Sequence, residues 1–410
     1  MQATTQTPQI FTEPWWDTLF ESTNYLTEAT VIKNSVPQYF FQKKDLHYVL
    51  QQVPQKLSFL KPGLRIYVDG KQAIKETTNF FRNPLKKDET LEDFTQRIFE
   101  GQSYGIIINQ MTKFHPDLGK KLAPLYQGIT EKLGVDWIDL SATAFIGDYG
   151  YTPFGVHYDG PGVSVMHFHL GPGKKVMTLW DQETFEEKTG SRLHYAHPEK
   201  ILPYGTNYEI ETNDTFYLCE GPFHIGNTVD HSMAVTVIIK PITVQDWVSA
   251  ALTEMNSDAF NPEVLEGYES NLDEVFNQGV IHAEPEELPF GQLVRAAMAD
   301  YQLSLKSNCG FQPPRWSDEK IYEDLATQRV QSVKPFQMYH KALKGNQIRL
   351  YFRRNKQNFD EANIVTPIIE QLNAGEVLEV GKILEKHNSS KEYLTELFTL
   401  LLNHQAIELA

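Results

Sequence analysis

The segment TPFGVHYDG, residues 152–160, decides how the rest of the sequence is interpreted. It places His157 and Asp159 two residues apart, and side chains two apart on a β-strand project from one face. A metal ion held by this pair needs a third ligand. NDTFYLCEGPFHIGN, residues 213–227, supplies His224 after a strand and a Gly-Pro turn. The two segments together predict a metal site made of His157, Asp159 and His224.

This donor set has a known chemical use. Two imidazoles and one carboxylate on one side of a metal are typical of non-haem iron(II) oxygenases. The open positions admit a chelating co-substrate and dioxygen. A dicarboxylic co-substrate also needs a cation a short distance from the metal, and Lys174 and Lys175 begin the strand KKVMTLW after the turn GPG.

Short β-branched and aromatic runs surround the site from about Tyr104 to Pro241, separated by turns rich in Gly, Pro and Asn-Asp. We expect only one helical stretch among them, around Leu118 to Leu133. Many short strands with close turns predict a mainly β domain of the jelly-roll type. The runs are YGIIINQ, WIDLSATAFIG, VSVMHFHLG, KKVMTLW, NDTFYLCEG and MAVTVIIKP.

The sequence on either side of this core has other patterns. Residues 1–100 alternate short apolar runs with turn signals. After Pro241, the segments TVQDWVSAALTEM, NPEVLEGYESNLDEVFNQG and FGQLVRAAMADYQLSL have apolar residues at helical spacing. From about Pro335, a strand, three helices and a short apolar strand follow, which is the order of a winged-helix-like module.

We therefore predict four regions in a mainly β chain with additional helices. Residues 1–100 form an α/β region packed on the barrel, and residues 101–245 form the jelly-roll core. Residues 246–330 are helical, and residues 335–410 form the winged-helix-like module.

Composition restricts the partners and the location. The net charge of −16 and the isoelectric point near 5.3 oppose charge-driven binding to nucleic acid or anionic membranes. The C-terminal module contains equal numbers of basic and acidic residues, so nucleic acid is not expected as its partner. No run of about 18 apolar residues or signal-peptide pattern occurs, and the two cysteines suit reduced thiols. We expect a cytoplasmic protein.

The motifs resemble the Jumonji-C family of 2-oxoglutarate oxygenases, especially its ribosomal-oxygenase branch and the related asparaginyl hydroxylase. In that family a Thr-Pro run precedes His-x-Asp, as Thr152-Pro153 do here. A Gly-x-Lys-hydrophobic strand follows, matching Gly173-Lys174-Lys175. The last histidine ends an Asp-x-x-Tyr-(Leu/Ile)-Pro-x-Gly-x-x-His stretch, matching Asp214 through His224, although this chain has Cys-Glu-Gly-Pro at 219–222. The interval from Asp159 to the lysines is also slightly longer than in close relatives.

The resemblance implies a double-stranded β-helix (cupin) that uses Fe(II), 2-oxoglutarate and dioxygen. By position, His157, Asp159 and His224 bind the iron. Lys175 binds the distal carboxylate of 2-oxoglutarate, with Lys174 as the alternative. Thr152 and Tyr151 are further candidates for hydrogen bonding to the co-substrate or lining its pocket.

The same resemblance implies hydroxylation of a side chain in a peptide or protein, for which a ribosomally made precursor peptide is one candidate. N-methyl-lysine demethylation and a small-molecule oxygenase of the same mechanism are alternatives. A non-enzymatic cupin-like binding protein is the alternative from another class. The branch also implies a homodimer built from helices between about 245 and 310. The tail would alternatively hold a peptide, since small winged-helix folds that capture leader sequences have a comparable order of elements.

Four other histidines fall within or near the core: His167, His169, His194 and His231. In the family, a His-Ser pair such as His231-Ser232 begins the strand after the last ligand without binding metal. His167 and His169 share one face of VSVMHFHLG, where they either line the pocket or are hydrogen-bonded core residues, and we favour the second interpretation.

Overall fold

The structure is a computed structural model that describes residues 10–37, 40–56, 63–135, 137–228, 230–259, 290–314, 320–322 and 324–410. Its centre consists of two antiparallel sheets. Their strands are β1 (Thr30–Ile32), β2 (Leu64–Val68), β3 (Lys71–Gln72), β4 (Tyr104–Ile108), β5 (Ile138–Gly147), β6 (Gly150–Tyr151), β7 (Val156–His157), β8 (Ser164–Pro172), β9 (Lys175–Trp180), β10 (His194–Tyr195), β11 (Thr206–Ile210), β12 (Thr215–Leu218), β13 (Phe223–Thr228) and β14 (Ser232–Pro241).

The larger sheet has eight strands in the order β1-β12-β8-β14-β5-β4-β2-β3. The smaller sheet has the order β10-β7-β13-β9-β11, with β6 also paired to β13. An apolar cluster contains residues of both sheets and therefore lies between them. Its buried members are Val163, Val165, Met177, Leu179, Ile210, Phe216 and Leu218.

Six helices accompany these sheets: α1 (Glu13–Ser22), α2 (Lys43–Lys56), α3 (Ile74–Arg82), α4 (Leu91–Phe99), α5 (Pro116–Leu133) and α6 (Gln182–Thr189). All six predicted strand runs contain a strand, and the predicted helix is α5. The expectation of a single helix is wrong, because α6 is a second one. Only Phe185 is buried in α6, so the apolar spacing that marks a helix is absent. Its ends are set by the Asp181 side chain, which accepts from the Thr184 N–H at 2.8 Å, and by Gly190.

The remaining elements are α7 (Val244–Ala259), α8 (Phe290–Lys306), β15 (Arg329–Ser332), β16 (Tyr339–Ala342), β17 (Ile348–Phe352), β18 (Asn355–Phe359), α9 (Ala362–Asn373), β19 (Leu378–Glu379), α10 (Val380–Lys386), α11 (Lys391–Asn403) and β20 (Ile407–Leu409). They include two three-stranded sheets, β19-β15-β20 and β16-β17-β18. The predicted strand, three helices and final strand of the tail are β17, α9, α10, α11 and β20. The predicted helix over NPEVLEGYESNLDEVFNQG lies outside the described residues.

The chain has a mixed α/β composition with several antiparallel sheets. A large apolar cluster extends from Ile10 to Phe336 and joins the N-terminal helices to the larger sheet. A second cluster, from Leu325 to Ile407, forms the core of the tail. No helix in the described ranges has the length and apolar character needed to cross a membrane.

A buried carboxylate fixes α2 against α5. The Asp45 carboxylate lies 3.3 Å from His115 Nε2 and 2.8 Å from Lys121 Nζ, and it accepts the Gln42 N–H at 2.9 Å. Burial works to raise the pKa of Asp45, but these hydrogen bonds outweigh it and lower the pKa from 3.8 to about 2.

We predict that Asp45→Asn lowers the free energy of unfolding at pH 7 by about 2 kcal/mol. Because the pKa of Asp45 is lower in the folded chain, its stabilisation is complete above the unfolded pKa and is lost as the pH falls from about 4 towards 2. Urea unfolding of both proteins at pH 7 and near pH 3 measures this, and the difference should be smaller near pH 3. The control is Asp117→Asn on the exposed start of α5, which should change stability by less than about 0.5 kcal/mol.

Candidate functional site

The three predicted metal ligands lie together on the smaller sheet. His157 on β7 and His224 on β13 are direct cross-strand partners, and their ring centroids are 4.4 Å apart. The Asp159 carboxylate lies 3.5 Å from His157 Nε2 and 3.7 Å from His224 Nε2. Their ligand atoms all lie within 4.8 Å of one another. Donors about 2.1 Å from a shared metal are themselves roughly 3 to 4 Å apart, so this set fits one ion.

The local structure between His157 and Asp159 differs from the predicted strand. β7 ends at His157, so His157 and Asp159 are not two positions on the same strand face. Asp159 instead follows the strand, and the chain after His157 returns its carboxylate to both histidines. The spacing identified the correct residues, although the local structure differs from the extended strand that was expected.

Backbone carbonyls orient both imidazoles. His157 Nδ1 lies 3.1 Å from the Gly155 carbonyl oxygen, and His224 Nδ1 lies 3.4 Å from that of Pro222. In a neutral ring, the Nδ1–H donates to the carbonyl and leaves the Nε2 lone pair free. Both Nε2 atoms face Asp159, so the two rings present the atoms that a metal requires.

The charge state of these three residues also suits a cation. Burial is the main cause that lowers the pKa of His224 from 6.5 to about 4, and a charge on His157 acts in the same direction. Burial opposes ionisation of Asp159, but the hydrogen bond with His157 and the charges of both histidines outweigh it and lower the pKa of Asp159. At neutral pH the site therefore combines a neutral His224 with an ionised carboxylate.

A buried lysine lies on the same face of this sheet. Lys175, on β9, is 4% exposed, and its Nζ donates to the Tyr149 hydroxyl at 3.3 Å. The Phe145 ring centroid is 4.9 Å from Nζ. Within the described ranges no carboxylate forms an ion pair with this ammonium. A buried cation without a counter-charge is costly, so this position is suited to an anionic ligand.

The structure does not bring Lys174 to this pocket. Adjacent residues on a strand project to opposite faces, and the Lys174 side chain is 60% exposed. Its Nζ pairs with Glu211 at 3.1 Å and with Glu209 at 3.7 Å. Of the two candidate lysines, only Lys175 faces the interior between the sheets.

Thr152 and Tyr151 lie in different places. Thr152 is buried, and its hydroxyl donates to the Gly226 carbonyl at 3.0 Å, beside Lys175. Tyr151 packs on the cluster containing Phe223 and Ile225, whose side chains alternate with His224 along β13. The Tyr151 side chain is therefore on the opposite face of the sheet from the triad, and its predicted role in the pocket is not supported by its position.

The larger sheet contributes a polar row to the same interior. Thr143, Thr236 and His167 are cross-strand neighbours on β5, β14 and β8, and His167 Nδ1 lies 2.9 Å from the Thr236 hydroxyl. Thr143 Oγ1 and His167 Nε2 are buried and have no hydrogen-bond partner among the described residues. Because Thr143 lies two residues from Phe145, this row faces the Lys175 pocket. Buried polar atoms without partners indicate space for a polar ligand or water.

The other histidines are placed away from the triad. His169 Nε2 lies 2.7 Å from the Gly173 carbonyl oxygen, and burial lowers the pKa values of both His167 and His169. His231 Nδ1 lies 3.2 Å from the Tyr104 hydroxyl. His194 is exposed at the outer strand β10, where its Nε2 lies 2.6 Å from the Phe154 carbonyl oxygen. None of the four belongs to the metal-ligand cluster found in the described residues.

Several residues of the site were not predicted from the sequence. Phe154 packs edge-on against His157 with ring centroids 4.7 Å apart, and the Arg65 guanidinium lies 5.4 Å from the Phe154 ring centroid. Tyr149, which contacts Lys175, was also missed. Phe154 lies within the motif TPFGVHYDG and Tyr149 lies three residues before it, so their proximity in sequence was the available signal. Arg65 comes from β2, and no local pattern connects it to the site.

Comparisons with known proteins give structural neighbours only. No protein-family model matches the sequence, and no curated protein matches it. The ribosomal oxygenase YcfD from Escherichia coli, in complex with cobalt and succinic acid, aligns at 14% identity over 97% of this chain and 98% of its own, with a TM-score of 0.47. YcfD in complex with cobalt and 2-oxoglutarate aligns at 12% identity over 97% and 98%, with a TM-score of 0.48.

We predict that His224→Ala weakens binding of Co(II) or Fe(II) by roughly 100-fold or more, because it removes one of three donors. Isothermal titration calorimetry of the apo protein measures this directly. His231→Ala is the matched control and should leave the metal affinity within about twofold. The opposite pattern, with loss of binding only in the His231 variant, would mean that the third ligand is misassigned.

Proposed function

We propose that this chain is an iron(II)- and 2-oxoglutarate-dependent oxygenase that hydroxylates a side chain of a peptide or protein. The observation that carries the proposal is the position of Lys175. This buried lysine has no carboxylate partner within the described residues, and it lies on the sheet face that presents His157, Asp159 and His224.

The separation between cation and triad suits a short diacid. A Cβ placed on Gly226 would lie 2.8 Å from Lys175 Cε and 3.2 Å from Thr152 Oγ1. The end of the lysine side chain therefore crosses β13 at Gly226, two residues from His224. Two residues along a strand span roughly 7 Å. 2-Oxoglutarate is long enough to place its keto acid end at the triad and its distal carboxylate at Lys175.

The residues of the pocket would have distinct parts. His157, Asp159 and His224 would hold Fe(II). Bound Fe(II) supplies the activation of dioxygen that couples conversion of 2-oxoglutarate to succinate and carbon dioxide with insertion of one oxygen atom into a C–H bond. Lys175 would neutralise the distal carboxylate in a site of low polarity, where the ion pair is strong.

Aromatic residues around the site would keep water from the reacting centre. Phe145 covers one side of the Lys175 ammonium, and Phe154 covers the edge of His157. Thr152, Tyr149 and the row of Thr143 and His167 offer hydrogen bonds to the buried diacid. Such fixed, preorganised groups restrict the co-substrate to one orientation.

The finer architecture is part of this proposal. The two facing antiparallel sheets support a jelly-roll core, with the metal ligands on the smaller sheet. The order of α9, α10, α11 and β20 supports a winged-helix-like module at the C-terminus. The homodimer through the helices between about 245 and 310 remains a prediction, as do the four region boundaries and the cytoplasmic location.

We expect purified protein supplied with Fe(II), 2-oxoglutarate and oxygen to form succinate slowly, since such oxygenases turn over their co-substrate without a prime substrate. His157→Ala and His224→Ala should each reduce succinate formation at least about 100-fold, because either change opens the triad. Mass spectrometry or NMR of the acids measures the rate. If the wild-type protein forms no succinate even with candidate peptides present, the result would instead support a non-enzymatic cupin-like binding protein.

Lys174 and Lys175 are neighbours in sequence that point to opposite faces, so they allow a matched test of co-substrate binding. We predict that Lys175→Met raises the KM for 2-oxoglutarate at least about tenfold, because it removes the buried cation and keeps the side-chain volume. Lys174→Met, on the opposite face, should leave the KM within about twofold. Metal affinity should be unchanged in both variants.

A second substitution tests the position of the Lys175 ammonium without removing its charge. Gly226→Ala would force Lys175 Cε and Met177 Sδ to move, since the added Cβ would lie 2.8 and 3.1 Å from them. Both atoms are at the ends of flexible side chains, so the chain should still fold while the KM rises. An unchanged KM in the Lys175 and Gly226 variants would exclude this pocket as the diacid site.

A further inference from the structure

The last strand of the described tail has an open edge. Among the residues that the structure describes, β20 pairs only with β15, and it lies at the margin of their three-stranded sheet. At the ends of this ladder the Val333 N–H donates to the Ala406 carbonyl at 3.0 Å, and the Ala410 N–H donates to the Arg329 carbonyl at 2.9 Å. Hydrogen-bonding residues alternate along an antiparallel strand. The backbone groups of residues 407 and 409 therefore point away from β15.

Ile407 and Leu409 line a cleft. Its volume is about 1000 Å³, and residues of α2, of the start of α5, of the end of α11 and of β20 line it. Among the described residues, none donates to or accepts from the backbone of Ile407 or Leu409. The edge thus offers two N–H and two C=O groups at the positions where another strand would pair.

The charges around the cleft are unbalanced. Asp45 is satisfied by His115 and Lys121, and Lys120 Nζ lies 3.4 Å from Glu408. Lys44 and Lys320 also line the cleft and are exposed. Neither lysine forms an ion pair with any described carboxylate. Asp117 lines the cleft as well, so its four lysines exceed its three carboxylates by one. In a chain with a net charge of −16, this small positive surplus would attract an acidic ligand.

Apolar surface accompanies the open edge. Leu409 is 48% exposed and Tyr48 is 39% exposed, and both line the cleft. A strand alternates its side chains between two faces, so one bound segment would place apolar side chains against these residues and acidic ones towards the lysines. Since α2 and α5 lie across the cleft from β20, the space beside the edge suits a single chain.

We propose that this cleft binds an extended acidic peptide segment, which adds as a strand to the outer edge of β20. The main-chain hydrogen bonds of residues 407 and 409 provide the affinity, and Lys44 and Lys320 select acidic side chains. This site is separate from the metal centre. It requires neither metal nor co-substrate, so its failure and that of the proposed oxygenase activity are distinguishable.

The test uses the full chain and a fluorescein-labelled peptide of alternating glutamate and valine, with fluorescence anisotropy as the readout. Leu409→Pro removes one outward N–H and places a ring where the new strand must lie, but it retains the pairing with β15. We expect at least about tenfold weaker binding for Leu409→Pro and only about two- to threefold weaker binding for Leu409→Ala, which keeps the backbone N–H and loses only an apolar contact. Circular dichroism checks that both variants fold.

Two double variants test whether the lysines that line the cleft are needed for binding. The double variant Lys44→Gln/Lys320→Gln should bind the peptide at least fivefold more weakly and with a shallower salt dependence. The control Lys71→Gln/Lys87→Gln removes the same charge from exposed positions outside the cleft and should bind as wild type does. A peptide with lysine in place of glutamate should not bind.

A further measurement needs no variant. The glutamate–valine peptide with N-methylated backbone nitrogens cannot complete the ladder and should lose binding to the wild-type chain. Equal binding of the methylated peptide, equal binding by Leu409→Pro, or no binding by wild type at millimolar concentration would each overturn the proposal. Dimers of wild type that become monomers in Leu409→Pro would show that a second copy occupies the edge, which would also overturn it.

Discussion

The cross-strand pair of His157 and His224 is the contact on which the rest of the site depends. It fixes the register between β7 and β13, and a shift of either strand by one residue would send the imidazole of that strand to the opposite face, away from its partner. The pairing of β13 with β9 on its other side places Gly226 beside Lys175, so β13 links the predicted metal ligands to the buried cation through its two neighbouring strands. Strand pairing across the smaller sheet therefore determines both the metal geometry and the reach of the buried ammonium.

This arrangement requires a polar interior in a core that would be more stable if it were apolar. The row of Thr143, Thr236 and His167 and the ammonium of Lys175 lie between two sheets whose remaining contacts are largely aliphatic and aromatic. Buried polar atoms without partners cost free energy, typically about 1 to 3 kcal/mol each. In this row Thr143 Oγ1 and His167 Nε2 have no partner among the described residues, and the proposed co-substrate would complete their hydrogen bonds.

Much of the core could be predicted from the sequence because its strands are dense in β-branched and aromatic residues. The triad could be predicted because two ligands are adjacent in the chain and the third follows a distinctive turn. The helix α6 could not, since capping at Asp181 and Gly190 defines it without an apolar stripe. Arg65 and the polar row could not either, because they meet the site only through sheet order, which no local pattern encodes. Neighbouring residues on a strand project to opposite faces, so only one of Lys174 and Lys175 can point to the interior. The sequence alone did not show which face of the strand is the interior one.

The Lys175 side chain lies across Gly226, and this position has a consequence for which acids the pocket would accept. The lysine side chain is confined by Phe145, Tyr149 and the backbone of β13, so its ammonium has little freedom to follow a ligand. If 2-oxoglutarate binds as proposed, the fixed distance between this ammonium and the triad would select diacids by their length. A diacid one methylene shorter would not bring its far carboxylate to Lys175. A diacid one methylene longer would have to adopt a bent conformation. The smaller sheet would thus discriminate between metabolites by length before any chemistry begins.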